Sequence, residues 1–442
     1  MAAALILPQD RAFFEMSVCG VPLLTRAVCA FGRVVDTVYI VKTSLVPAAY
    51  PAELEGELAI RAVRPRVVWL EPGRALPMAS GLFVTWLPGV FDHKLAVDLL
   101  ARSKTEDKVV RCHRPDGGAT VLWYVGKERC AELARALAQP GPSLGGFLES
   151  AATDEHDPGS RLCEPVEDNA ARQRVEQTLF AGTRKPTDTW IARHFDRYVS
   201  NWITRQLLPY RITPNQVTLI SFGLGIAGAL LLLLGTHLAA IVGTALLVLC
   251  IIVDGCDGEV ARLKYMDTPS GRRLDFILDN VVNALALFTI GAGYYLQSGE
   301  RFFLYAPLFN ATSALACAFP VYFLFYQKDA EPKGSDGPKS FNARLTEAVM
   351  GRDFMYGLFF LALFNRVHWF VYLTLGGIGF FFASVVVLLA KRRLDRRSAQ
   401  AQAARSAASL PIPPLPEPSV FRSRDTGTRG RSGTASEYPP VD

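Results

Sequence analysis

Four aspartates stand at regular spacing in the most apolar part of this sequence, and no other feature restricts the fold as strongly. They are Asp254, Asp257, Asp275 and Asp279. The apolar runs LLVLCIIV and VVNALALF precede the first pair and follow the second. A carboxylate at the centre of a membrane helix costs about 2.5–3.5 kcal/mol on insertion scales. We therefore expect a cation to balance these charges, and a divalent ion is the simplest choice.

The spacing predicts that the aspartates lie on two helices. Asp254 and Asp257 are three residues apart and share a helix face with Ala261. Asp275 and Asp279 are four residues apart and share a face of a second helix. The intervening segment LKYMDTPSGRR contains a proline and a glycine, which are turn signals. We predict two antiparallel helices, joined by a short polar turn, whose four carboxylates face each other.

The side chains around these carboxylates suit a phosphate-containing ligand. Arg262 supplies a permanent cation, and Gly258 and Gly271 allow a ligand to approach the backbone closely. Oxygen ligands favour Mg²⁺ or Mn²⁺ over Zn²⁺, and two such ions would clamp a diphosphate during an in-line displacement at phosphorus. In the structural alternative, the aspartates are helix caps or ion-pair partners of the nearby basic residues Arg262, Lys264, Arg272 and Arg273. The coincidence of all the fixed positions favours the metal site.

The complete pattern D-x2-D-G-x2-A-R-x8-G-x3-D-x3-D resembles the signature of the CDP-alcohol phosphotransferase (CDP-alcohol phosphatidyltransferase) family, and the resemblance covers roughly residues 185–392. It implies an enzyme that transfers a phosphoalcohol group from a CDP-alcohol to an acceptor hydroxyl and releases CMP. Asp254, Asp257 and Asp275 would then hold the metals. Asp279 would be a further metal ligand or the general base on the acceptor hydroxyl.

The same resemblance implies residues that contact the nucleotide, and it implies a homodimer. On the first helix, Gly258, Ala261 and Arg262 would line the CDP pocket. Asn215 and Thr218, in the segment TPNQVT, would also face the nucleotide. The threonine and proline that open this segment form a good helix start, so capping alone is an alternative reason for them.

The chain of 442 residues is long enough for two domains. Short β-rich runs such as AAALIL and VDTVYIVK alternate with helical runs such as LLTRAVCAFGR over residues 1–150, which predicts a soluble α/β domain with a mostly parallel sheet. We predict a linker at 151–184, an amphipathic interfacial helix at 185–211, an all-α membrane domain at 212–392 and a disordered tail at 393–442.

We predict six membrane spans, at roughly 214–235, 238–259, 272–296, 302–326, 353–366 and 368–391. Lysine and arginine concentrate in the loops on one side of this arrangement. The positive-inside rule places that side, with the aspartates and the N-terminal domain, in the cytoplasm of an inner or plasma membrane. The net charge of +6 comes largely from these membrane-flanking residues, which indicates an anionic lipid surface and not nucleic acid.

Basic residues of the loop before the fifth span are candidates for acceptor binding. Arg352, with Lys328 or Lys339, would bind a phosphate of the acceptor, and an ion pair of Arg352 with Asp353 is the structural alternative. The sequence does not identify the alcohol. Inositol phosphate, glycerol phosphate and a lipid acceptor all remain open.

The N-terminal domain resembles a sugar nucleotidyltransferase in its first strand and in the run GVPLLTR that ends at Arg26. The whole arrangement resembles the bifunctional inositol-1-phosphate cytidylyltransferase/di-myo-inositol-phosphate-phosphate synthases, whose soluble half makes the donor. However, the loop PQDRAFFEMS contains neither glycine nor lysine. In the run PGVFD that directly follows the strand GLFVTWL, only Asp92 is acidic. We therefore expect an inactive domain that serves as a scaffold, an assembly surface or a nucleotide sensor. An active cytidylyltransferase is the alternative.

A cation transporter is the alternative for the membrane domain, because intramembrane carboxylates commonly line ion pathways. The sequence disfavours it, since the aspartates lie at the predicted interface beside Arg262 and two glycines, and no inverted repeat is evident. Eight cysteines without a CxxC pair indicate a reduced protein without a zinc site. Cys256, inside the aspartate pattern, is expected to be structural because a soft thiolate suits Mg²⁺ poorly.

Overall fold

The computed structural model describes residues 2–71, 80–103, 108–112, 119–138, 144–184, 191–321, 354–377 and 387. Residues up to Val385 belong to one compact unit, in which an α/β region precedes a helical region. This confirms the coarse prediction of an α/β N-terminal part and a helical C-terminal part.

The strands of the N-terminal region are short. They are β1 Ala3–Ile6, β2 Ser17–Val18, β3 Val21–Pro22, β4 Thr37–Val41, β5 Arg66–Leu70, β6 Gly81–Thr85, β7 Gly89–Phe91, β8 Val109–Cys112, β9 Trp123–Gly126, β10 Asp154–His156 and β11 Cys163–Pro165. Seven of them form one sheet with the order β10-β8-β9-β6-β1-β4-β5. All pairings in this sheet are parallel except those of β9, which runs antiparallel to β6 and β8. The sheet is therefore mostly parallel, as predicted.

Helices cover both faces of this sheet. They are α1 Ala12–Glu15, α2 Leu23–Gly32, α3 Tyr50–Ala59, α4 His93–Ser103, α5 Lys127–Ala138, α6 Leu144–Ala151 and α7 Asn169–Ala181. Alternate residues of β1 enter two different cores: Ala4 and Ile6 pack in the core that includes residues of α2, α3 and α4, and Ala3 and Leu5 in the core that includes residues of α5 and α6. Strands buried on both faces are typical of such three-layer α/β folds.

The C-terminal region is helical. Its elements are a π-helical turn at Ala192–Asp196, α8 Arg197–Leu207, α9 Pro214–Leu232, α10 His237–Leu263, α11 Pro269–Ser298, α12 Phe302–Val321 and the helices Phe354–Leu363 and 369–377. Helices α9, α10 and α11 are 19, 27 and 30 residues long and apolar enough to cross a membrane. They coincide with the first three predicted spans.

The other three predicted spans are described only in part. The predicted spans 302–326 and 368–391 extend past the described residues, and the predicted span 353–366 corresponds to the helix Phe354–Leu363, of ten residues. A helix of ten residues is too short to cross a bilayer by itself. The number six therefore remains a prediction.

Threonine caps begin all three long helices. Thr213 forms a capping box with Gln216 before α9, Thr236 caps α10 and Thr268 caps α11. Each hydroxyl accepts a hydrogen bond from a backbone N–H of the first turn, which would otherwise lack an intrahelical partner. The start of α9 thus shows the capping that the sequence offered as an alternative for TPNQVT.

Helix α8 has its polar side chains inside and its aromatic side chains outside. Tyr198 and Trp202 are 80% and 63% exposed, whereas Arg197, Ser200 and Thr204 are buried. Exposed aromatic groups on one helix face would be unfavourable in water. The pattern suits a helix that lies on a membrane surface.

Candidate active site

The two aspartates of α10 and the first aspartate of α11 come together across the helix pair. Carboxylate oxygens of Asp254, Asp257 and Asp275 all lie within 4.8 Å of one another. Asp254 and Asp257 are 5% and 7% exposed, and Asp275 is half-buried. Negative charges this close repel one another unless a cation offsets the repulsion. Three carboxylates in this arrangement could hold a divalent ion.

Asp279 lies outside this group of three. It is half-buried on α11, one turn beyond Asp275. Four residues advance along a helix by about 6 Å, so two aspartates at this spacing reach different levels of the facing helix. The structure thus brings together three of the four predicted carboxylates, and the role of Asp279 stays a prediction.

Thr218 orients one of the clustered carboxylates. Its hydroxyl donates a hydrogen bond to Asp257 Oδ2 from the neighbouring helix α9, and Thr218 is 4% exposed. A hydroxyl that donates to a carboxylate oxygen helps to fix the rotamer of that carboxylate. The sequence pointed to Thr218 as a nucleotide contact but did not reveal this bond.

Gly271 makes room for Asn215. A Cβ atom at Gly271 would lie 3.2 Å from Asn215 Oδ1 and 3.0 Å from Thr268 Oγ1. The glycine therefore allows the start of α9 to approach the capped start of α11 closely. Asn215 itself is exposed at that junction.

Arg262 bends back along its own helix. One of its terminal nitrogens would lie 3.2 Å from a Cβ atom at Gly258, one turn earlier, and the other donates to the carbonyl of Thr183 at 3.2 Å. Thr183 follows α7, so the segment between the two regions holds this cation. Ala261, the third residue predicted to line the nucleotide pocket, is half-buried on α10.

Glu259, inside the aspartate pattern, is fully buried and was not predicted as part of the site. Its carboxylate accepts hydrogen bonds from Arg197 at 2.9 Å, Ser200 at 2.7 Å and Thr204 at 2.7 Å. Three donors on one helix compensate the burial of this charge and attach α8 to α10. An unassigned carboxylate in an apolar stretch was its signal in the sequence.

Cys256 lies beside this network. Its thiol contacts the carbonyls of Ser200 and Ile252, each at 3.5 Å. This packing fits the structural role expected for it. The proposed acceptor-binding residues Arg352, Lys328 and Lys339 lie outside the described residues.

Two aspartates of the N-terminal region, Asp10 in the loop PQDRAFFEMS and Asp92, make local hydrogen bonds. Asp10 accepts from the N–H of Ala12 at 2.8 Å. Asp92 accepts from the N–H of Lys94 at 3.0 Å and lies 3.2 Å from the ring of His93. Hydrogen bonding by His93 lowers the pKa of Asp92 to about 2. Both carboxylates therefore shape turns at the starts of helices.

Residues 211–380, the segment that contains these helices, match the model of the CDP-alcohol phosphatidyltransferase family. This segment belongs to that family, which confirms the resemblance seen in the aspartate pattern.

Relatives from several organisms are named bifunctional IPC transferase and DIPP synthase. The protein from Rubrobacter xylanophilus is 39% identical over 256 residues, which are 56% of this chain and 53% of the relative. The protein from Thermococcus kodakarensis is 38% identical over 119 residues, 27% of this chain and 26% of the relative. The chain thus spans between a quarter and about half of the length of these relatives. The match of 256 residues extends beyond the family segment 211–380 and agrees with the bifunctional arrangement.

One similar solved structure is a phosphatidylinositol phosphate synthase of Mycobacterium tuberculosis with CDP-DAG bound. It is 18% identical and covers 41% of this chain and 94% of its own, with a TM-score of 0.27. At that score the likeness has no bearing on the site.

Proposed function

We propose that this chain is a membrane-embedded phosphotransferase that moves a phosphoalcohol group from a CDP-alcohol to an acceptor hydroxyl and releases CMP. The convergence of Asp254, Asp257 and Asp275 within 4.8 Å, inside the family segment, is the observation that supports it most. Buried carboxylates on two adjacent apolar helices suit a charged, phosphate-containing substrate at a membrane surface.

The donor set fits Mg²⁺ or Mn²⁺. All three clustered groups offer carboxylate oxygens, which these hard ions prefer, and the described residues place no cysteine or histidine in the cluster. Asp254, Asp257 and Asp275 would hold the metal, with Asp279 as a ligand of a second ion or as the base. When bound, the ions would offset the charge of the diphosphate.

The reaction needs a proton acceptor and a fixed cation from the chain itself. The acceptor hydroxyl oxygen forms a bond to the phosphorus of the alcohol phosphate while the bond from that phosphorus to the CMP oxygen breaks. We assign Asp279 as the group that takes the hydroxyl proton. Arg262 lies beside Gly258, where it would pair with a donor phosphate, with Ala261, Asn215 and Thr218 around the nucleotide.

The remaining spans and the surface helix complete the membrane placement that we propose. Six spans would put both termini, the end of α10 and the start of α11 on the cytoplasmic side. Helix α8 would lie on the same side, with Tyr198 and Trp202 in the lipid interface. We also propose a homodimer.

For the N-terminal region we propose a nucleotidyltransferase-like domain without catalysis. The loop PQDRAFFEMS supports this, because it offers neither a glycine nor a lysine to hold the phosphates of a nucleoside triphosphate. The rival is an active cytidylyltransferase. Full-length protein with labelled CTP, Mg²⁺ and phosphorylated polyols would decide: we expect no pyrophosphate, and its release would establish the rival.

A polyol phosphate such as inositol phosphate is our preferred acceptor, because the relatives are named for IPC transfer and DIPP synthesis. We propose that Arg352, with Lys328 or Lys339, binds its phosphate. A lipid acceptor is the second candidate, favoured by the apolar lengths of α9, α10 and α11 beside the site.

The test is a donor and acceptor screen on full-length protein in lipid nanodiscs, measured by CMP release. CDP-inositol, CDP-glycerol and CDP-diacylglycerol would each be combined with polyol-phosphate and lipid acceptors. We expect Mg²⁺-dependent CMP release for one pair, and its loss in Asp279→Asn. Full activity of that variant would refute the base assignment. Cation flux into proteoliposomes without CMP release from any pair would refute the enzyme and support the transporter.

A further inference from the structure

The end of α10 that follows the aspartates is held by the N-terminal region. Three consecutive carbonyls accept hydrogen bonds from it: Leu263 from Arg26 Nη2 at 2.9 Å, Lys264 from Arg61 Nη1 at 2.5 Å, and Tyr265 from the N–H of Ala62 at 2.8 Å. The last carbonyls of a helix have no intrahelical donor. We name the three donors, Arg26, Arg61 and Ala62, the carbonyl socket.

The two arginines of the socket are buried. Arg26 and Arg61 are 2% and 3% exposed, and Arg26 also donates to the carbonyl of Val18 at 2.8 Å. A buried guanidinium is unfavourable unless hydrogen bonds and opposite charge compensate it. The negative end of the α10 dipole supplies part of this compensation. Arg61 is compensated in addition by an ion pair with Glu57, and both arginines are held by the carbonyls of the helix end.

Tyr265 adds a side-chain anchor. Its φ of +58° is a left-handed conformation that glycine usually adopts at a helix end, and the N–H of Met266 returns to the carbonyl of Ala261 at 2.8 Å. The Tyr265 ring packs in the N-terminal core, with the guanidinium groups of Arg26 and Arg33 at 5.4 and 5.0 Å. A tyrosine in this strained position indicates that anchoring of the ring offsets the strain.

The contacts between the N-terminal region and the end of α10 also include the segment that follows α8. A Cβ atom at Gly20 would lie 2.2 Å from the carbonyl oxygen of Leu208, just after α8. Lys264 Nζ donates to the carbonyl of Tyr210 at 2.6 Å. The helix end is therefore fixed between the N-terminal region and the segment after α8.

We propose that Arg26 and Arg61 are positioning residues for the membrane site. Arg262 directly precedes the held carbonyls, and Asp257 lies less than two turns before them on the same rigid helix. Fixing this end sets the rotation and height of α10 against α11, and thereby the distance of Asp257 from Asp275. The proposal rests on the proposed function, and it gives the N-terminal region a role that needs no catalysis of its own.

The test compares Arg26→Met with Arg33→Met in full-length protein. Arg33 contacts the same ring but is exposed, so it controls for loss of a guanidinium beside Tyr265. Three quantities would be measured: Mn²⁺ affinity by electron paramagnetic resonance, amide hydrogen exchange of residues 257–266, and kcat and KM for the donor. Supporting groups of metal ligands typically affect affinity by about 10–100-fold.

We expect Arg26→Met to accelerate exchange at the helix end, to weaken Mn²⁺ binding about 10-fold and to raise the donor KM. Arg33→Met should change each value less than about twofold. Faster exchange with unchanged Mn²⁺ affinity would overturn the proposal, because the socket would then only join two regions.

Arg26→Lys keeps the charge but loses the planar guanidinium whose Nη2 donates to the carbonyls of both Val18 and Leu263, and it serves if the methionine variant does not fold. An intermediate loss of Mn²⁺ affinity is expected, and wild-type affinity would overturn the proposal. Mn²⁺ binding and exchange need no turnover, so a protein that releases no CMP would refute the proposed function while these two measurements still decide the role of the socket.

Discussion

Aspartates are used differently in the two regions of this molecule. Between α10 and α11, Asp254, Asp257 and Asp275 converge from positions up to 21 residues apart. In the N-terminal region, Asp10 and Asp92 each bond to an N–H two residues away. Three converging carboxylates concentrate negative charge that a bound cation would balance. A hydrogen bond from a nearby backbone N–H, by contrast, satisfies a single carboxylate within its own turn. The difference agrees with the proposal that the chemistry belongs to the membrane helices and a supporting role to the α/β region.

The largest expected effect comes from replacing an aspartate by asparagine in each of the two regions. Asp257→Asn should lower CMP release about 10³-fold or more, because a lost metal ligand removes several kcal/mol of transition-state stabilisation. Asp10→Asn and Asp92→Asn should stay within about twofold. CMP release by full-length protein in nanodiscs is the measurement.

Asp267→Asn is the matched control within the membrane region. Asp267 lies between α10 and α11 but pairs with Arg272 at 2.8 Å, outside the cluster, so its variant should remain active. A large loss in Asp10→Asn or Asp92→Asn, with folding intact, would abolish the contrast.

The bond from Thr218 to Asp257 should have the next largest effect. Thr218→Val removes the donor but keeps the shape, and we expect Mn²⁺ affinity to fall about 10–100-fold. Thr244→Val is the control, because its buried hydroxyl bonds the carbonyl of Ala240 in its own helix. Equal affinities in the two variants would show that Thr218 does not support the cluster.

Substitutions of Gly20 and Gly159, which both have a positive φ, test how rigid the contact is between the N-terminal region and the segment after α8. Gly159 has a φ of +60° with open space where a Cβ would stand, so Gly159→Ala should cost about 1–2 kcal/mol. Gly20→Ala has the same backbone strain and also meets the carbonyl of Leu208, so its loss of unfolding free energy should be larger. Denaturation of full-length protein measures both. Equal losses of unfolding free energy in the two variants would mean that the contact between Gly20 and Leu208 accommodates the added methyl group at no further cost.

The smallest expected effect is the contribution of Asp92 to stability at acidic pH. Its folded pKa of about 2 lies below the ordinary 3.8, so its stabilising contribution is complete above about pH 4 and is lost as the pH falls toward 2. Asp92→Asn should remove this part of the acid sensitivity, about 1 kcal/mol after solvent screening. Circular dichroism during acid titration measures it, and an unchanged profile would contradict the assignment.

Much of the architecture followed from local patterns in the sequence. The runs AAALIL, VDTVYIVK, RVVWLE, GLFVTWL and TVLWYVG contain β1, β4, β5, β6 and β9, because β-branched and aromatic residues cluster between turn signals. The sequence did not predict β10 and β11, which have three residues each and no apolar alternation. Nor did it reveal that β9 runs antiparallel, which depends on chain connections and not on composition.

The placement of the site aspartates on two helices was also predictable from local patterns, whereas the contacts that surround them were not. The spacing of the aspartates placed them correctly on α10 and α11, since helical periodicity is a local property. The bonds of Thr218 to Asp257, of Arg197 to Glu259 and of Arg26 to Leu263 join residues 39, 62 and 237 positions apart. Such contacts depend on how helices and sheet pack together, and a single sequence contains no periodic signal for them.

The central claim is that the carboxylates between α10 and α11 bind a divalent cation. Its most direct test is Mn²⁺ binding to full-length protein in nanodiscs, measured by electron paramagnetic resonance for wild type and Asp257→Asn. We predict saturable binding by the wild type and at least a 100-fold weaker affinity in the variant. Equal Mn²⁺ affinity in both proteins would contradict the account.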